Sequence, residues 1–154
     1  MDIINELVSN YIIIASFISI ILTQILKVIT NLIVNHKIDL SRLTNDGGMP
    51  SAHSAAVSSL ATMCGLTFGF NSGIFSISLV FAVITCHDAM NSRQQIGKQA
   101  AVINKLFRDM LNGKDTETNI VLKELVGHTP LQVFMGILLG IFVSIMVFYN
   151  IRNG

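Results

Sequence analysis

Gly47-Gly48-Met49-Pro50-Ser51-Ala52-His53-Ser54-Ala55 opens a run that carries no Lys, Arg, Asp or Glu until Asp88. As a single helix, the uncharged stretch from Ser54 to Cys86 would be about 50 Å long, well beyond a hydrocarbon core of about 30 Å. It must turn, and Gly69-Phe70-Asn71-Ser72-Gly73 is the turn-like cluster inside it. The run therefore divides into a helix from Pro50 to Phe68 and another from Ile74 to Met90. The first is rich in Ala, Ser, Thr and Gly, which let helix backbones approach closely in lipid, so it is read as the centre of a bundle.

The same scarcity of charge extends on both sides. Tyr11 to Val34 contains Lys27 as its only charge, and Leu131 to Asn150 contains none. Roughly 20 such residues span a bilayer. Across the chain 51% of residues are apolar and 12% charged, where a soluble domain carries about 25% charge. The expected fold is all-α: a single domain over residues 1–154, an integral membrane bundle of about four spans. The first span runs from Leu7 to Val34 and the fourth from Pro130 to Asn150. A net charge of +1 gives no electrostatic case for nucleic acid. Asp2 and Glu6 stand where a cleavable signal would be basic. Cys64 and Cys86 lie in apolar spans without metal-type spacing and read as packing residues.

Between the third and fourth spans, Ile96, Ala100, Ile103, Leu106 or Phe107, and Met110 recur at helical spacing, with Lys98, Lys105 and Arg108 among the polar positions. This predicts an amphipathic helix from Gln94 to Met110 lying on the membrane surface. A short helix from Thr116 to Val126 follows. Gly127-His128-Thr129-Pro130 then repeats the earlier grammar of glycine, histidine, capping hydroxyl and proline at a helix start.

Alternation of direction through four spans brings the polar clusters to one membrane face. Lys27 nears the end of the first span, Ser51 and His53 start the second, Asp88 and Arg93 end the third, and His128 starts the fourth. The loops beside them hold Lys37, Arg42, Arg93, Lys98, Lys105, Arg108, Lys114 and Lys123, against Arg152 on the other side. The positive-inside rule makes the clustered face cytoplasmic in a multi-pass protein of the cell membrane, with both termini outside. Lys27 itself has two readings, a functional group within the bundle or a side chain snorkelling to the headgroups.

The first turn of a helix leaves N–H groups unpaired at the positive end of the dipole and can receive an anion. Ser51 adds a hydroxyl there and His53 a group that titrates near neutral pH. The alternative is a capped helix start with a histidine at the membrane interface. Lysine, arginine, a serine hydroxyl, helix amides and two histidines together suit a phosphate monoester: cations and N–H groups hold the nonbridging oxygens, one histidine attacks phosphorus and another protonates the leaving oxygen.

Three segments carry a resemblance: Gly47 to Ala55, the region from Asp88-Ala89 to Gln99-Ala100 with Arg93 and Gly97, and Leu122-Lys123-Glu124-Leu125-Val126-Gly127-His128-Thr129-Pro130. They resemble the divergent branch of the type 2 phosphatidic acid phosphatase superfamily, related to acid phosphatases and vanadium-dependent haloperoxidases. The likeness runs from Gln24 and Lys27 to Gly140. It implies a membrane-embedded, metal-independent phosphohydrolase without a cofactor, acting on a phosphorylated membrane lipid through a phosphohistidine. By position, Lys27 and Arg93 would bind phosphate together with Ser51 and its neighbouring positions Gly48 and Ala52. His53 would be the general acid and His128 the nucleophile.

The superfamily orients that nucleophile with a carboxylate four residues later, where this chain has Gln132. Asp88 could take the role by approaching His128. Ala52 replaces the glycine between serine and histidine, and Asn91, Arg93 and Gln94 stand where a glycine and paired arginines are usual. These departures keep a second hypothesis open, a member that binds a phosphorylated lipid or protein partner without hydrolysing it. A third reading is a metal site of His53, His87, Asp88 and His128, which no paired-ligand motif supports. A bundle of four short spans is compatible with a homodimer.

Overall fold

The computed structural model describes residues 3–36, 48–110 and 128–153, and every element in them is a helix. The order is α1 (Ile3–Val8), α2 (Tyr11–Asn35), α3 (Ala52–Phe68), α4 (Gly73–Met90), α5 (Ser92–Met110) and α6 (Pro130–Asn153). The short helix expected from Thr116 to Val126 and most of the loop before Met49 lie outside the described residues.

Three helices, α2, α4 and α6, are long and apolar enough to cross a membrane. The remaining expected span is α3, whose 17 residues sit at the lower limit of about 17–25 for crossing. It is enclosed by α2, α4 and α6, which all pack on it.

Several boundaries differ from those expected, each for a local reason. The first span is broken at Asn10, whose side chain accepts from the N–H groups of Ile12 and Ile13 (3.1 and 3.3 Å) and caps α2, leaving α1 separate. Helix α3 starts at Ala52 rather than at Pro50. Ser51 takes extended N-cap geometry and its Oγ accepts from the Ser54 N–H (3.4 Å). The Met49–Pro50 peptide preceding it is cis. Helix α5 begins at Ser92 rather than Gln94.

Burial is inverted relative to a soluble protein. On α2 the inward stripe is Ala15, Ser19, Thr23 and Lys27, one residue per turn, while Phe17, Ile21 and Ile25 face outward. The hydroxyls on that stripe are satisfied within their own helix, Ser19 donating to the Ala15 carbonyl (2.9 Å) and Thr23 to that of Ser19 (2.6 Å). Large apolar side chains also cover the outside of α4 and α6, Phe81 and Phe142 among them. In water such a surface would aggregate; in lipid it costs nothing, and small residues take over the interior.

The closest packing is between α3 and α6, which run parallel. Ser51 at the cap of α3, with Ala55 and Ser59 within it, faces the row Gly136, Gly140 and Ser144 on α6, each set stepping by one turn. A Cβ on Gly136 would stand 2.5 Å from the Ser51 carbonyl oxygen, and one on Gly140 would collide with the Ala55 carbonyl and the Ser58 hydroxyl. Farther along, Ser144 Oγ donates to the Ser59 carbonyl (2.9 Å) and meets the Ser59 hydroxyl at 2.8 Å. This register brings both helix N-termini to the same end of the bundle.

Candidate active site

At that end the last turns of α2 meet the chain entering α3. Lys27 is 3% exposed, so it lies inside the bundle and does not snorkel. Its aliphatic stem passes Gly48, where a Cβ would lie 3.7 Å from Lys27 Cγ. Gly48 has φ +107, a conformation that glycine adopts without strain. One turn on, Thr30 Oγ1 donates to the Met49 carbonyl (3.0 Å) and pins the segment to α2. One turn back, Gln24 Oε1 is buried, and among the described residues no hydrogen-bond partner reaches it. An acceptor so placed costs about 1–3 kcal/mol until an N–H or O–H reaches it.

Ser51 is fully buried. Its N–H donates to the Gln132 carbonyl (3.0 Å), tying the start of α3 to the first turn of α6. Its Oγ accepts from both the N–H and the hydroxyl of Ser54 (3.4 and 3.0 Å), so its own proton is directed elsewhere. Ala52, the first residue of α3, is buried beside it.

His128 precedes α6 and is 1% exposed. Its backbone N–H donates to the Ala89 carbonyl of α4 (3.1 Å). Its Nδ1 lies 3.3 Å from Gln132 Oε1. That oxygen also accepts from the Thr129 N–H (3.0 Å), and Thr129 Oγ1 accepts from the Gln132 N–H (3.3 Å). Thr129 and Gln132 thus form a reciprocal capping box. Gln132 Oε1 can only accept, so in this pair His128 Nδ1 is the donor.

His53 lies in the first turn of α3 and is exposed. Its ring centroid is 6.3 Å from that of His128, the planes tilted by 50°. Lys27, Gly48, Ser51, Ala52, His53, His128 and Gln132 therefore gather at one end of the bundle. Asp88 is exposed on the last turn of α4, and among the described residues no hydrogen bond links it to His128. Arg93 lies in the first turn of α5, its side chain outside the described residues. His87 Nε2 pairs with Asn91 Nδ2 (2.8 Å). Among the described residues no three His, Cys, Asp or Glu side chains are grouped to hold a metal ion, so the four-residue metal site does not form there.

Two features escaped the sequence reading. The capping box was visible as Thr-x-x-Gln, a known helix-start signature. The glycine pair was visible as Gly136-x-x-x-Gly140, a close-approach pattern in apolar helices.

Against known families, the chain matches the model described as the divergent PAP2 family over residues 8–143. The chain belongs to the divergent PAP2 family. A relative in Bacillus subtilis (strain 168), described as uncharacterized membrane protein YuiD, is 42% identical over 154 residues, covering 94% of this chain and 98% of its own. No solved structure matches the chain. The divergent PAP2 match takes in every gathered residue, from Lys27 to Gln132. The match and the apolar helices make this a membrane protein of a phosphatase-related family.

Proposed function

We propose that this divergent PAP2 protein is a membrane phosphohydrolase that cleaves a lipid phosphate monoester or pyrophosphate through a phosphohistidine on His128. The observation that carries this reading is the meeting of His53 and His128, rings 6.3 Å apart, where the N-termini of α3 and α6 converge. Two parallel helices then point their positive ends at one small volume, a setting that favours a multiply charged oxyanion.

In the proposed reaction, Nε2 of His128 attacks phosphorus and the bond to the leaving oxygen breaks, that oxygen taking a proton from His53. Water then attacks phosphorus and yields its proton to His53. The P–N bond breaks, its electron pair returns to His128, and inorganic phosphate leaves. Lys27, Arg93, the Ser51 hydroxyl and the amides around Ala52 hold the nonbridging oxygens. In this reading Gln132 accepts from Nδ1 and so holds the tautomer whose lone pair is on Nε2.

The test is phosphate release by purified protein in lipid vesicles across a panel of lipid phosphates, with and without chelator. Turnover insensitive to chelator and lost in His128→Ala supports the reading. Binding without turnover across the panel supports the second reading, a protein that holds a phosphorylated lipid. That alternative is favoured by one observation, that Gln132 Oε1 is shared with the Thr129 N–H and carries no charge. The clustered end is proposed to face the cytoplasm. On that basis a membrane-impermeant thiol reagent added outside labels Asn71→Cys, in the turn after α3, but not Asn91→Cys; the reverse pattern inverts the topology.

A further inference from the structure

In a capping box the side chain three residues after the cap reaches back to the backbone N–H of the cap. At the start of α6 it does so, with Gln132 Oε1 accepting from the Thr129 N–H (3.0 Å). At the start of α3 the equivalent residue is Ser54, but the equivalent donor is already engaged. The Ser51 N–H donates across to the Gln132 carbonyl of α6 (3.0 Å). Ser54 turns instead to the side chain of the cap, its hydroxyl donating to Ser51 Oγ (3.0 Å).

The consequence falls on Ser51. A hydroxyl carries one proton and two acceptor lone pairs. Both lone pairs of Ser51 Oγ are engaged, one by the Ser54 hydroxyl and the other by the Ser54 N–H (3.4 Å). What remains is the Ser51 proton. Ser51 is fully buried, and among the described residues no acceptor receives that proton. Leaving a buried donor unpaired is unfavourable, so the proton calls for an acceptor from outside the fold.

Ser54 is itself held from two sides and is fully buried. Toward α6, a Cβ on Gly136 would lie 3.1 Å from Ser54 Cβ, so the helices are in close contact there. Toward α4, the Cys86 thiol shares a side-chain hydrogen bond with Ser54. Because the single Ser54 proton goes to Ser51, Cys86 is the donor in that pair. Thiol, hydroxyl and hydroxyl thus form a relay, in which each bond polarises the next and strengthens the last donor. Without the Ser54 hydroxyl, Ser51 would recover a free lone pair and its O–H could rotate away.

We propose that Ser54 is a positioning residue that commits the Ser51 hydroxyl to donation, so that its proton meets an acceptor-only oxygen of the bound phosphate. The inference rests on the proposed phosphate site for the ligand and adds the group that sets the polarity of Ser51. An ammonium or amide N–H at that place would face the Ser51 proton, whereas an oxyanion accepts it.

The test is a double-mutant cycle on the full chain in phosphatidylcholine vesicles, with inorganic phosphate as the probe and its dissociation constant read by calorimetry. Ser51→Ala is expected to weaken binding about 10–100-fold, the range for a hydrogen bond to a charged group. Ser54→Ala, with Ser51 intact, is expected to weaken it about three- to tenfold, the range for a neutral hydrogen bond. Added to Ser51→Ala, it should have no further effect. A purely structural Ser54 would instead give the same loss in both backgrounds, so equal losses overturn the inference. Full binding in Ser54→Ala beside lost binding in Ser51→Ala also overturns it, and leaves the phosphate site standing. Should Ser54→Ala unfold, Ser54→Cys keeps the shape with a weaker donor. A loss of about two- to threefold, seen only with Ser51 present, then supports the inference, and an equal loss in both backgrounds overturns it. Native protein that binds no phosphate, or binds it equally well in Ser51→Ala, overturns the phosphate reading at Ser51 and the inference with it. Binding that follows the cycle in a protein that releases no phosphate from any substrate supports the inference and removes hydrolysis alone.

Discussion

The two helix starts at the polar end of the bundle are built from the same residue types and use them in opposite ways. Before α3, glycine and proline precede the cap, Ser51 closes the helix, and His53 follows inside the first turn, exposed. Before α6, glycine precedes His128, Thr129 closes the helix, and Pro130 begins it. His128 therefore stands outside the helix, held by its own backbone to Ala89 and by its ring to the cap, and is buried. A histidine placed before a cap is fixed in orientation and tautomer. One placed after it keeps a ring open to water and to protons. The first is suited to attack phosphorus and the second to exchange a proton, so the roles proposed for the pair follow from which side of the cap each occupies.

Removing each ring in turn separates the two roles. His128→Ala is expected to lower phosphate release at least about 10⁴-fold, the scale on which loss of a nucleophile acts. His53→Ala is expected to cost about 10²–10³-fold with an alkyl leaving group, as loss of a general acid does, and much less with a nitrophenyl phosphate, whose leaving group needs no proton. Equal losses in both variants, independent of leaving group, would erase the division of roles.

The membrane bundle and the end at which its polar groups collect are legible in the sequence, because charge is so scarce that its position alone sets the spans and their alternation. Lys27 is legible as a position but not as a buried one, since a long side chain near a helix end can turn either way and the segment its stem passes, at Gly48, is distant in sequence. The burial of His128 depends on a carbonyl from another helix, Ala89, which no local pattern announces. The pairing of α3 with α6 is hidden for a related reason. The small residues at 51, 55 and 59 and at 136, 140 and 144 mark a close-packing face on each helix, but nothing local says which helix it meets.

That pairing sets the distance between the two starts. Gly136→Ala places a methyl group 2.5 Å from the Ser51 carbonyl oxygen and forces α3 and α6 apart. It is expected to destabilise the protein by about 1–3 kcal/mol, as overpacking does, read as a lower unfolding temperature in detergent. Activity should fall with it, because the Ser51 N–H bond to Gln132 crosses the same junction. Gly73→Ala, where an added Cβ meets nothing within 4 Å, is the matched control and should leave both unchanged.

The smallest change asks whether the second cap only ends a helix or also tunes its histidine. Gln132→Glu keeps the capping box, since glutamate serves in it as well as glutamine and its charge is welcome at a helix N-terminus. It also turns the bond to His128 Nδ1 into a charge-assisted one, roughly twice as strong as the neutral bond. The ring becomes cationic when it takes the phosphoryl group, so a facing carboxylate stabilises that step. An expected gain of about tenfold in kcat corresponds to about 1.4 kcal/mol, partly offset by a higher KM because the added charge repels phosphate. Gln132→Ala removes cap and orientation together and should lower both activity and unfolding temperature. If Gln132→Glu leaves kcat unmoved and Gln132→Ala changes the unfolding temperature alone, the glutamine is a cap and nothing more. If the native protein binds a lipid phosphate without cleaving it and Gln132→Glu begins to release phosphate, the binding reading holds, and the missing carboxylate is what separates a holder of phosphorylated lipid from an enzyme.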